Sequence, residues 1–452
     1  MNPTTMPMSS QADWQCLFLP CAAGVEPLLL REISPWLPAT LAALTGKGGV
    51  WVQAAENASP SLAEVMRVAL RLNLHSRLAQ RVLWQLAHGA YRVEDDIYTL
   101  AEQVDWPAWI SHRQTMRVDV SAQRSPLPSL NFVALRVKDA VCDSLRRAVG
   151  QRPSVDTRRP DVALVLHLNA DHAWLSVDLS GQPLFKRGWR DAKGGTTEVK
   201  GEAPLKETLA AAMIAASGWT GQDGVALLDP CCGAGTIAIE AAQMACGMAP
   251  GLNRRFAFER LLPFAGQERA WADEVDAARA AIHTPRAPVF AADIAFRLSD
   301  FARRNAQAAG VAHALTVHTG DALQRLPPAD GGVMLLNPPY GERIAARGSL
   351  RRRQDVRPDT PAPAPREVAS EAFAGGQNAA TFFSLLAAHW KRHYPGWSAW
   401  VLTPELKLPT LMRLKESARV PMYNGAIECR LFRFDMVAGS LRRPPAGAAD
   451  AP

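Results

Sequence analysis

Two apolar stretches that each stop abruptly at residues suited to binding constrain this chain more than any other feature. The first is Leu227-Leu228-Asp229-Pro230-Cys231-Cys232-Gly233-Ala234-Gly235-Thr236, and the second is Val333-Met334-Leu335-Leu336-Asn337-Pro338-Pro339-Tyr340. Continuously apolar runs of strand length are typical of strands buried in a parallel sheet. Because ligands bind beyond the carboxyl ends of such strands, the pair predicts an open α/β sheet that joins a cofactor site to a substrate site.

The first stretch predicts a strand, a tight turn and a helix in immediate succession. Gly233 and Gly235 allow the backbone to turn sharply and to approach a ligand closely. The helix predicted from Thr236 to Ala245 would present unpaired N–H groups and a positive dipole to the space in front of it. A ligand that carries a carboxylate, such as an amino acid, would suit that end. A turn that binds no ligand remains an alternative at this point.

The second stretch is more specific because two consecutive prolines exclude a helix and remove two N–H donors. The backbone carbonyls are then fixed acceptors, Asn337 adds a side-chain carbonyl, and Tyr340 adds an aromatic face. An exocyclic amino group on a planar base needs acceptors for its hydrogens and a ring to stack on. The stretch therefore predicts a site for a nucleic-acid base, with a plain turn as the alternative.

These motifs resemble the class I S-adenosylmethionine-dependent methyltransferases that modify amino groups of nucleic-acid bases. Three segments together are similar to the ribosomal RNA guanine-N2-methyltransferases that carry a THUMP domain: residues 206–211, 229–236 and 337–343. The resemblance extends from about residue 14 to about residue 436. It implies a Rossmann-like, mostly parallel seven-stranded sheet with an antiparallel hairpin, preceded by an α+β ferredoxin-like and THUMP region. The Asn424-Gly425 pair supports the hairpin, since it is a strong signal for a tight turn.

The resemblance also implies roles for individual residues. The cofactor S-adenosylmethionine is expected to be bound by Asp229, Pro230, Cys232, Gly233, Gly235, Thr236, Asp293, Asp321 and Thr208. Among these, Asp293 is the candidate for the ribose hydroxyls, with a helix cap as its alternative, and Asp321 falls where the family binds the adenine amino group. The catalytic residues are expected to be Asn337, Pro338, Pro339 and Tyr340. No metal site is expected.

The domain organisation is predicted from the same resemblance and from composition shifts. We expect a disordered amino terminus at 1–13, a ferredoxin-like unit at 14–60, a THUMP RNA-binding domain at 61–183, a methyltransferase domain at 184–436 and a disordered tail at 437–452. Within the methyltransferase domain, residues 346–378 combine clustered arginines with a proline-rich run. A segment of this composition cannot bury a core, so we expect a mobile loop that either grips RNA or has no role.

Composition narrows the class of partner. The chain of 452 residues has a formal net charge of +7. Between positions 124 and 159 it contains eight Arg or Lys residues and three Asp residues. Such an excess favours a polyanionic partner, although an ordinary solvated basic surface is the alternative. There is no apolar run long enough for a membrane span and no secretory signal, and seven cysteines without a C-x-x-C pair favour a reduced, cytoplasmic protein.

The expected activity is methyl transfer from S-adenosylmethionine to the exocyclic N2 amine of a guanine in large-subunit ribosomal RNA. The target base would be unstacked to reach the site. One alternative is methylation of adenine N6, which the motif alone does not separate from guanine N2. Two others are a nicotinamide-dependent oxidoreductase that uses the same glycine turn, and an RNA-binding or ribosome-assembly protein without catalysis. The exact nucleotide and the oligomeric state are not predicted.

Overall fold

The computed structural model describes residues 16–190, 205–338 and 379–437. The chain divides into two compact units, which are described separately here. The first unit comprises Met1–Gly195, Lys206–Ala212 and Gly247–His283, and the second comprises Thr196–Leu205, Met213–Cys246 and Thr284–Pro452. Residues 247–283, called the insertion below, therefore belong to the first unit although they interrupt the sequence of the second.

The first unit is built on one sheet that has eight strands within the described residues. The strands are β1 (Cys16–Pro20), β2 (Leu41–Gly46), β3 (Gly49–Ala54), β4 (Leu83–Ala90), β5 (Thr115–Ala122), β6 (Ser154–Val155), β7 (Val162–Leu168) and β8 (His172–Asp178), in the order β2-β3-β1-β4-β8-β7-β5-β6. The helices before residue 190 are α1 (Glu26–Ile33), α2 (Leu62–His75), α3 (Glu94–Glu102), α4 (Trp106–Trp109) and α5 (Leu130–Val149). This one sheet contains strands from both of the regions that the sequence predicts as separate domains, 14–60 and 61–183. The boundaries of those two domains stay predictions.

Local signals explain the longer helices of this unit. Ser61 caps α2 by accepting a hydrogen bond from the Glu64 N–H group, which is the capping interaction that the sequence predicts. Ser129 caps α5 in the same way, and Gly150 ends α5 in a left-handed conformation. Strand β2 and helix α3 were not anticipated. Helix α3 does carry a helical signal, since its buried residues Ile97, Leu100 and Ala101 lie at positions i, i+3 and i+4.

The later part of the chain contains a second sheet, which has seven strands within the described residues. Its elements in chain order are α6 (Glu207–Ser217), β9 (Ala226–Asp229), α7 (Thr236–Ala245), α8 (Glu268–Ala280, in the insertion), β10 (Val289–Asp293), α9 (Phe296–Ala308), β11 (Leu315–Thr319), β12 (Gly332–Leu336), α10 (Ala379–His393), β13 (Trp397–Thr403), α11 (Leu408–Met412), β14 (Ala418–Asn424) and β15 (Ile427–Asp435). The strand order is β11-β10-β9-β12-β13-β15-β14, and only the β13–β15 and β14–β15 pairs are antiparallel.

This topology confirms the predicted class I methyltransferase fold with its closing hairpin. The turn differs in detail from the expectation. Asn424 is the last paired residue of β14, opposite Ile427, so the two loop residues are Gly425 and Ala426. Gly425 has a φ of +65°, a conformation that glycine adopts at little cost.

The core of the second unit lies behind β12 and β13. Phe382, Phe383 and Trp390 of α10 pack with Met334, Leu336 and Trp397 in one buried cluster. This packing holds the end of β12, where the Asn-Pro-Pro-Tyr sequence begins, against the rest of the sheet. No helix within the described residues is both long and apolar enough to cross a membrane.

Candidate functional site

The glycine-rich turn after β9 has the geometry of a ligand-binding loop. The Cys232 N–H group donates to the Ala292 carbonyl at 2.8 Å, and the Gly235 N–H group donates to the Cys232 carbonyl at 2.8 Å. Gly233 and Gly235 have φ values of +52° and +86°. Because Gly235 occupies the N-cap of α7 and has no side chain, it supplies no side-chain cap to the first N–H groups of that helix.

Asp293 organises the loop from the neighbouring strand. It ends β10, which runs parallel to β9. One carboxylate oxygen accepts the Gly233 N–H group at 2.9 Å, and the other accepts the Ala295 N–H group at 2.9 Å. The sequence left helix capping as an alternative role for Asp293. In the structure its side chain also links the loops that follow β9 and β10.

Asp229 and Asp321 complete a group of carboxylates around this turn. Asp229 is buried and accepts the Cys231 N–H group at 3.2 Å, and burial together with the charge of Asp293 raises its pKa well above the usual range. Asp321 lies beyond β11 and accepts the Leu323 N–H group at 2.9 Å. Besides burial, the charges of Asp229, Asp293 and Asp321 raise the pKa of the Cys231 thiol.

Burial and nearby carboxylates also affect the two cysteines of the turn, Cys231 and Cys232. Burial and the neighbouring carboxylates raise the pKa values of Cys231 and Cys232 well above the usual range. Both thiols are therefore protonated at neutral pH. A nucleophilic cysteine requires the opposite environment, in which nearby positive charge stabilises the thiolate. The surroundings of the two cysteines therefore disfavour the thiolate form that a nucleophilic cysteine needs.

The second predicted motif starts at the same edge of the sheet. Strand β12 lies beside β9 and pairs Met334 with Leu228, so Asn337 and Cys231 each lie three residues further along parallel neighbours. Asn337 is partly exposed and Pro338 is buried. Pro339 and Tyr340 lie outside the described residues, as do 1–13, 346–378 and almost all of the tail at 437–452. The structure thus brings the first half of the Asn-Pro-Pro-Tyr motif to the edge that carries the carboxylates.

Three other predicted cofactor residues are also buried: Pro230, Thr236 and Thr208. Pro230 and Thr236 flank the glycine turn, before and after it. Thr208 lies in the first turn of α6, in the part of that helix that belongs to the first unit. Its expected contact with the methionine portion of the cofactor stays a prediction.

The sequence analysis did not identify two exposed apolar residues beside Asp293 as candidate site residues. Ile294 and Phe296 follow Asp293 directly, yet their relative exposures are 52% and 70%. Large apolar side chains that are exposed next to a carboxylate at a strand end offer a flat apolar surface. The available signal was the Asp293-Ile294-Ala295-Phe296 sequence, in which apolar residues continue beyond the predicted strand end.

The basic segment of the first unit is only partly available to a polyanion. Four of its eight cations make ion pairs within the unit: Arg136 with Asp95, Lys138 with Asp139, Arg146 with Asp143 and Arg147 with Glu102. The other four are exposed and form no ion pair with the described residues: Arg124, Arg152, Arg158 and Arg159. These four arginines, called the exposed arginines below, are the part of the segment best placed to meet phosphates.

Comparison with known proteins identifies two domain families in this chain. Residues 194–353 match the RMKL-like methyltransferase domain family, and residues 91–178 match the THUMP domain family. A ribosomal RNA large subunit methyltransferase K/L from Shewanella pealeana is 33% identical over 383 residues, which cover 84% of this chain and 48% of that protein. The chain thus spans about half the length of the curated relatives it matches.

Solved structures show the same fold. A possible methylase from Clostridium difficile 630 has a TM-score of 0.73 and 25% identity, and it matches 96% of this chain and 100% of its own. The protein SMU.472, solved in complex with SAH, has a TM-score of 0.75 and 22% identity over 95% of this chain and 100% of its own.

Proposed function

Since the chain combines a THUMP domain with an RMKL-like methyltransferase domain, we propose that it methylates large-subunit ribosomal RNA with S-adenosylmethionine as the donor. We further propose that the acceptor is the exocyclic N2 amine of a guanine and that the reaction takes place in the cytoplasm. The observation that carries the proposal is the meeting, at one sheet edge, of the loop organised by Asp293 and the strand end that presents Asn337 and Pro338.

The residues around the glycine turn suit S-adenosylmethionine. The amino end of α7 offers N–H groups to its carboxylate, and Asp293 offers acceptor oxygens to ribose hydroxyls. Ile294 and Phe296 offer apolar surface to an adenine, and Asp321 offers an acceptor for its amino group. SMU.472, which shares the fold, was solved with SAH, the demethylated form of this cofactor.

In the proposed reaction the sulfonium of the cofactor supplies an electrophilic methyl group, and the protein aligns the acceptor with it. The Asn337 side-chain oxygen and the Pro338 carbonyl would accept the two hydrogens of the guanine amine. Those hydrogen bonds favour a lone pair directed at the methyl group instead of one delocalised into the ring. Tyr340 would stack on the base. The proton leaves after transfer, so no dedicated base is required.

The test is Asn337→Ala, with Asn337→Asp as the matched control that keeps an acceptor oxygen. Losing one preorganised contact of this kind typically lowers the rate about a hundredfold or more. We expect that loss for Asn337→Ala, a smaller loss for Asn337→Asp, and nearly unchanged cofactor affinity for both. The measurements are single-turnover transfer of labelled methyl to ribosomal RNA, calorimetry with S-adenosylmethionine, and nucleoside analysis of the product.

Near-normal turnover of Asn337→Ala would show that the mechanism is wrong. A product of N6-methyladenosine in place of N2-methylguanosine would instead show that the substrate is wrong while the cofactor and fold are right. Binding of RNA without any methyl transfer would favour the non-catalytic alternative.

A further inference from the structure

We propose that one exposed face of the sheet in the first unit, where Trp174 lies between His167 and His172, is a stacking surface for unpaired bases of an RNA. The inference rests on the proposed function for its choice of RNA as the partner, and it names the part of that RNA which the first unit would hold. Four aromatic rings on this face are called the ring row below: His88, Trp174, His167 and His172.

Strand pairing brings the ring row together. His88 of β4 is the register partner of Trp174 in β8, and Trp174 is also the partner of His167 in β7. The ring centroids of Trp174 and His167 are 5.9 Å apart, and those of Trp174 and His172 are 6.0 Å apart. His172 precedes Trp174 by two residues on one strand, so both side chains point to the same face of the sheet. Rings from three neighbouring strands thus form one patch.

The ring row lies on the side of the sheet that faces away from the apolar core. Leu166 and Leu168 of β7 are buried, whereas His167 between them is exposed. His88 is also exposed, and Trp174 is half-buried. Because successive residues of a strand point to opposite faces, the buried leucines and the ring row lie on opposite sides of the sheet. A tryptophan among histidines on an accessible sheet face suits a planar ligand.

The chemistry of the ring row favours a base over a metal ion. Among the residues that the structure describes, no group of three or more His, Cys, Asp or Glu side chains could hold a metal ion. Burial lowers the pKa values of His88 and His167, so both imidazoles are neutral at neutral pH and present aromatic faces instead of charges. Aromatic rings on a sheet stack well on unpaired bases, since every base has a face that can stack.

Two cations lie near the β5 end of the ring row. Lys47, in the turn between β2 and β3, donates to the Gln123 side-chain oxygen at 2.9 Å, although five strands separate β2 from β5 in the sheet order. The sheet is therefore curved enough to bring this turn to the end of β5. After burial, the charge of Lys47 is the second cause that lowers the pKa of His167. Arg124 follows Gln123 and is exposed. Rings for bases beside cations for phosphates match a single-stranded polyanion.

The experiment measures how the full chain binds a single-stranded RNA of about 12 nucleotides and a duplex of the same sequence, over a range of salt concentrations. The variants are Trp174→Ala, Trp174→Phe and Lys47→Ala. The matched control is Phe132→Ala, because Phe132 is an aromatic residue of α5 that lies outside the ring row and has a relative exposure of 49%.

For Trp174→Ala we expect affinity for the single strand to fall about tenfold, because one stacked base is lost, and affinity for the duplex to change about twofold or less. The slope of log K against log salt should stay the same, since the tryptophan neutralises no phosphate. Trp174→Phe should recover most of the loss because it keeps a ring. Lys47→Ala should instead reduce the magnitude of the slope by roughly 0.7. Phe132→Ala should bind like the wild type.

Photocrosslinking of the wild-type chain to RNA that contains iodouridine reads the surface without relying on a variant that must fold. Mass spectrometry should find the base attached to Trp174 or His167. Crosslinks confined to other segments would overturn the inference. So would equal affinities of Trp174→Ala and Phe132→Ala for the single strand, or an equal loss on single strand and duplex in Trp174→Ala.

Failure of the proposed function gives a different pattern. If the ring row binds the single strand as expected but the wild-type chain transfers no methyl group to ribosomal RNA, the proposed function is wrong and the stacking surface stands. If the wild-type chain methylates ribosomal RNA and Trp174→Ala binds the single strand normally, the proposed function stands and the stacking surface is wrong.

Discussion

At the scale of single residues, Asp293 shows how one carboxylate serves several purposes. It accepts N–H groups from Gly233 and Ala295. Its backbone carbonyl also accepts the Gly320 N–H group at 2.9 Å, so it connects the loops after β9, β10 and β11. The strand end supplies the position, and the carboxylate supplies the acceptors. Preorganisation of this kind lets a loop bind a ligand without first having to be ordered.

Replacing Asp293 should therefore weaken cofactor binding. A hydrogen bond to a charged group contributes roughly 1.5–3 kcal/mol, so we expect Asp293→Ala to lower S-adenosylmethionine affinity about tenfold or more in calorimetry. Asp293→Asn, which keeps one acceptor oxygen, should be intermediate. The control is Asp300→Ala on α9, which removes an exposed carboxylate that forms an ion pair with Arg304. Unchanged affinity in Asp293→Ala would contradict the assigned role.

At the scale of elements, the turn between β9 and α7 depends on two glycines for different reasons. A Cβ atom on Gly235 would lie 3.0 Å from the Ala302 Cβ atom of α9, whereas one on Gly233 would meet no described residue within 4 Å. Gly235 is thus needed for both its positive φ and the close approach of α7 to α9. Gly233 is needed for its φ alone.

This difference predicts unequal effects of alanine at the two positions. The left-handed conformation costs a non-glycine residue roughly 1–2 kcal/mol, so Gly233→Ala should lower the free energy of unfolding by about that amount. Gly235→Ala should lower it further, because the helices must also move apart. The measurement is thermal unfolding without cofactor, with hydrogen exchange in α7 and α9 to locate the change. Equal melting temperatures for the two variants would contradict the packing argument.

At the scale of the whole molecule, charge is distributed differently from what the composition suggests. Half of the cations between residues 124 and 159 are neutralised by nearby carboxylates in the first unit. RNA binding, if it uses this segment, should therefore depend mainly on the exposed arginines. The arginine cluster at 347–357 lies outside the described residues, and its contact with RNA stays a prediction.

Salt dependence should reveal how many of these arginines meet phosphates. The slope of log K against log salt is negative, and each lost phosphate contact reduces its magnitude by roughly 0.7–0.9. We expect the triple variant with alanine at Arg152, Arg158 and Arg159 to bind ribosomal RNA with a slope reduced by up to about three times that value.

The matched control for the salt experiment removes three exposed arginines elsewhere in the first unit: Arg255, Arg269 and Arg279. The slope should change little in this control. If both triple variants flatten the slope equally, net charge alone governs binding, and the segment has no special role.

The sequence alone determined the features that depend on neighbouring residues. Continuous apolar runs identified β9 and β12, and glycines identified the turn before α7. Each of these follows from conformational preferences that act within a few residues. The hairpin and the Ser61 cap were found for the same reason.

Only the tertiary structure decided the features that depend on partners distant in the chain. It linked Asp293 to Gly233, paired Arg136 with Asp95, and placed the insertion in the first unit through Arg254. Nothing near Arg254 in the sequence distinguishes it from Arg255. The two differ because one meets four carbonyls around residue 183 and the other extends into solvent. Such differences arise from packing between distant segments, which local propensity does not encode.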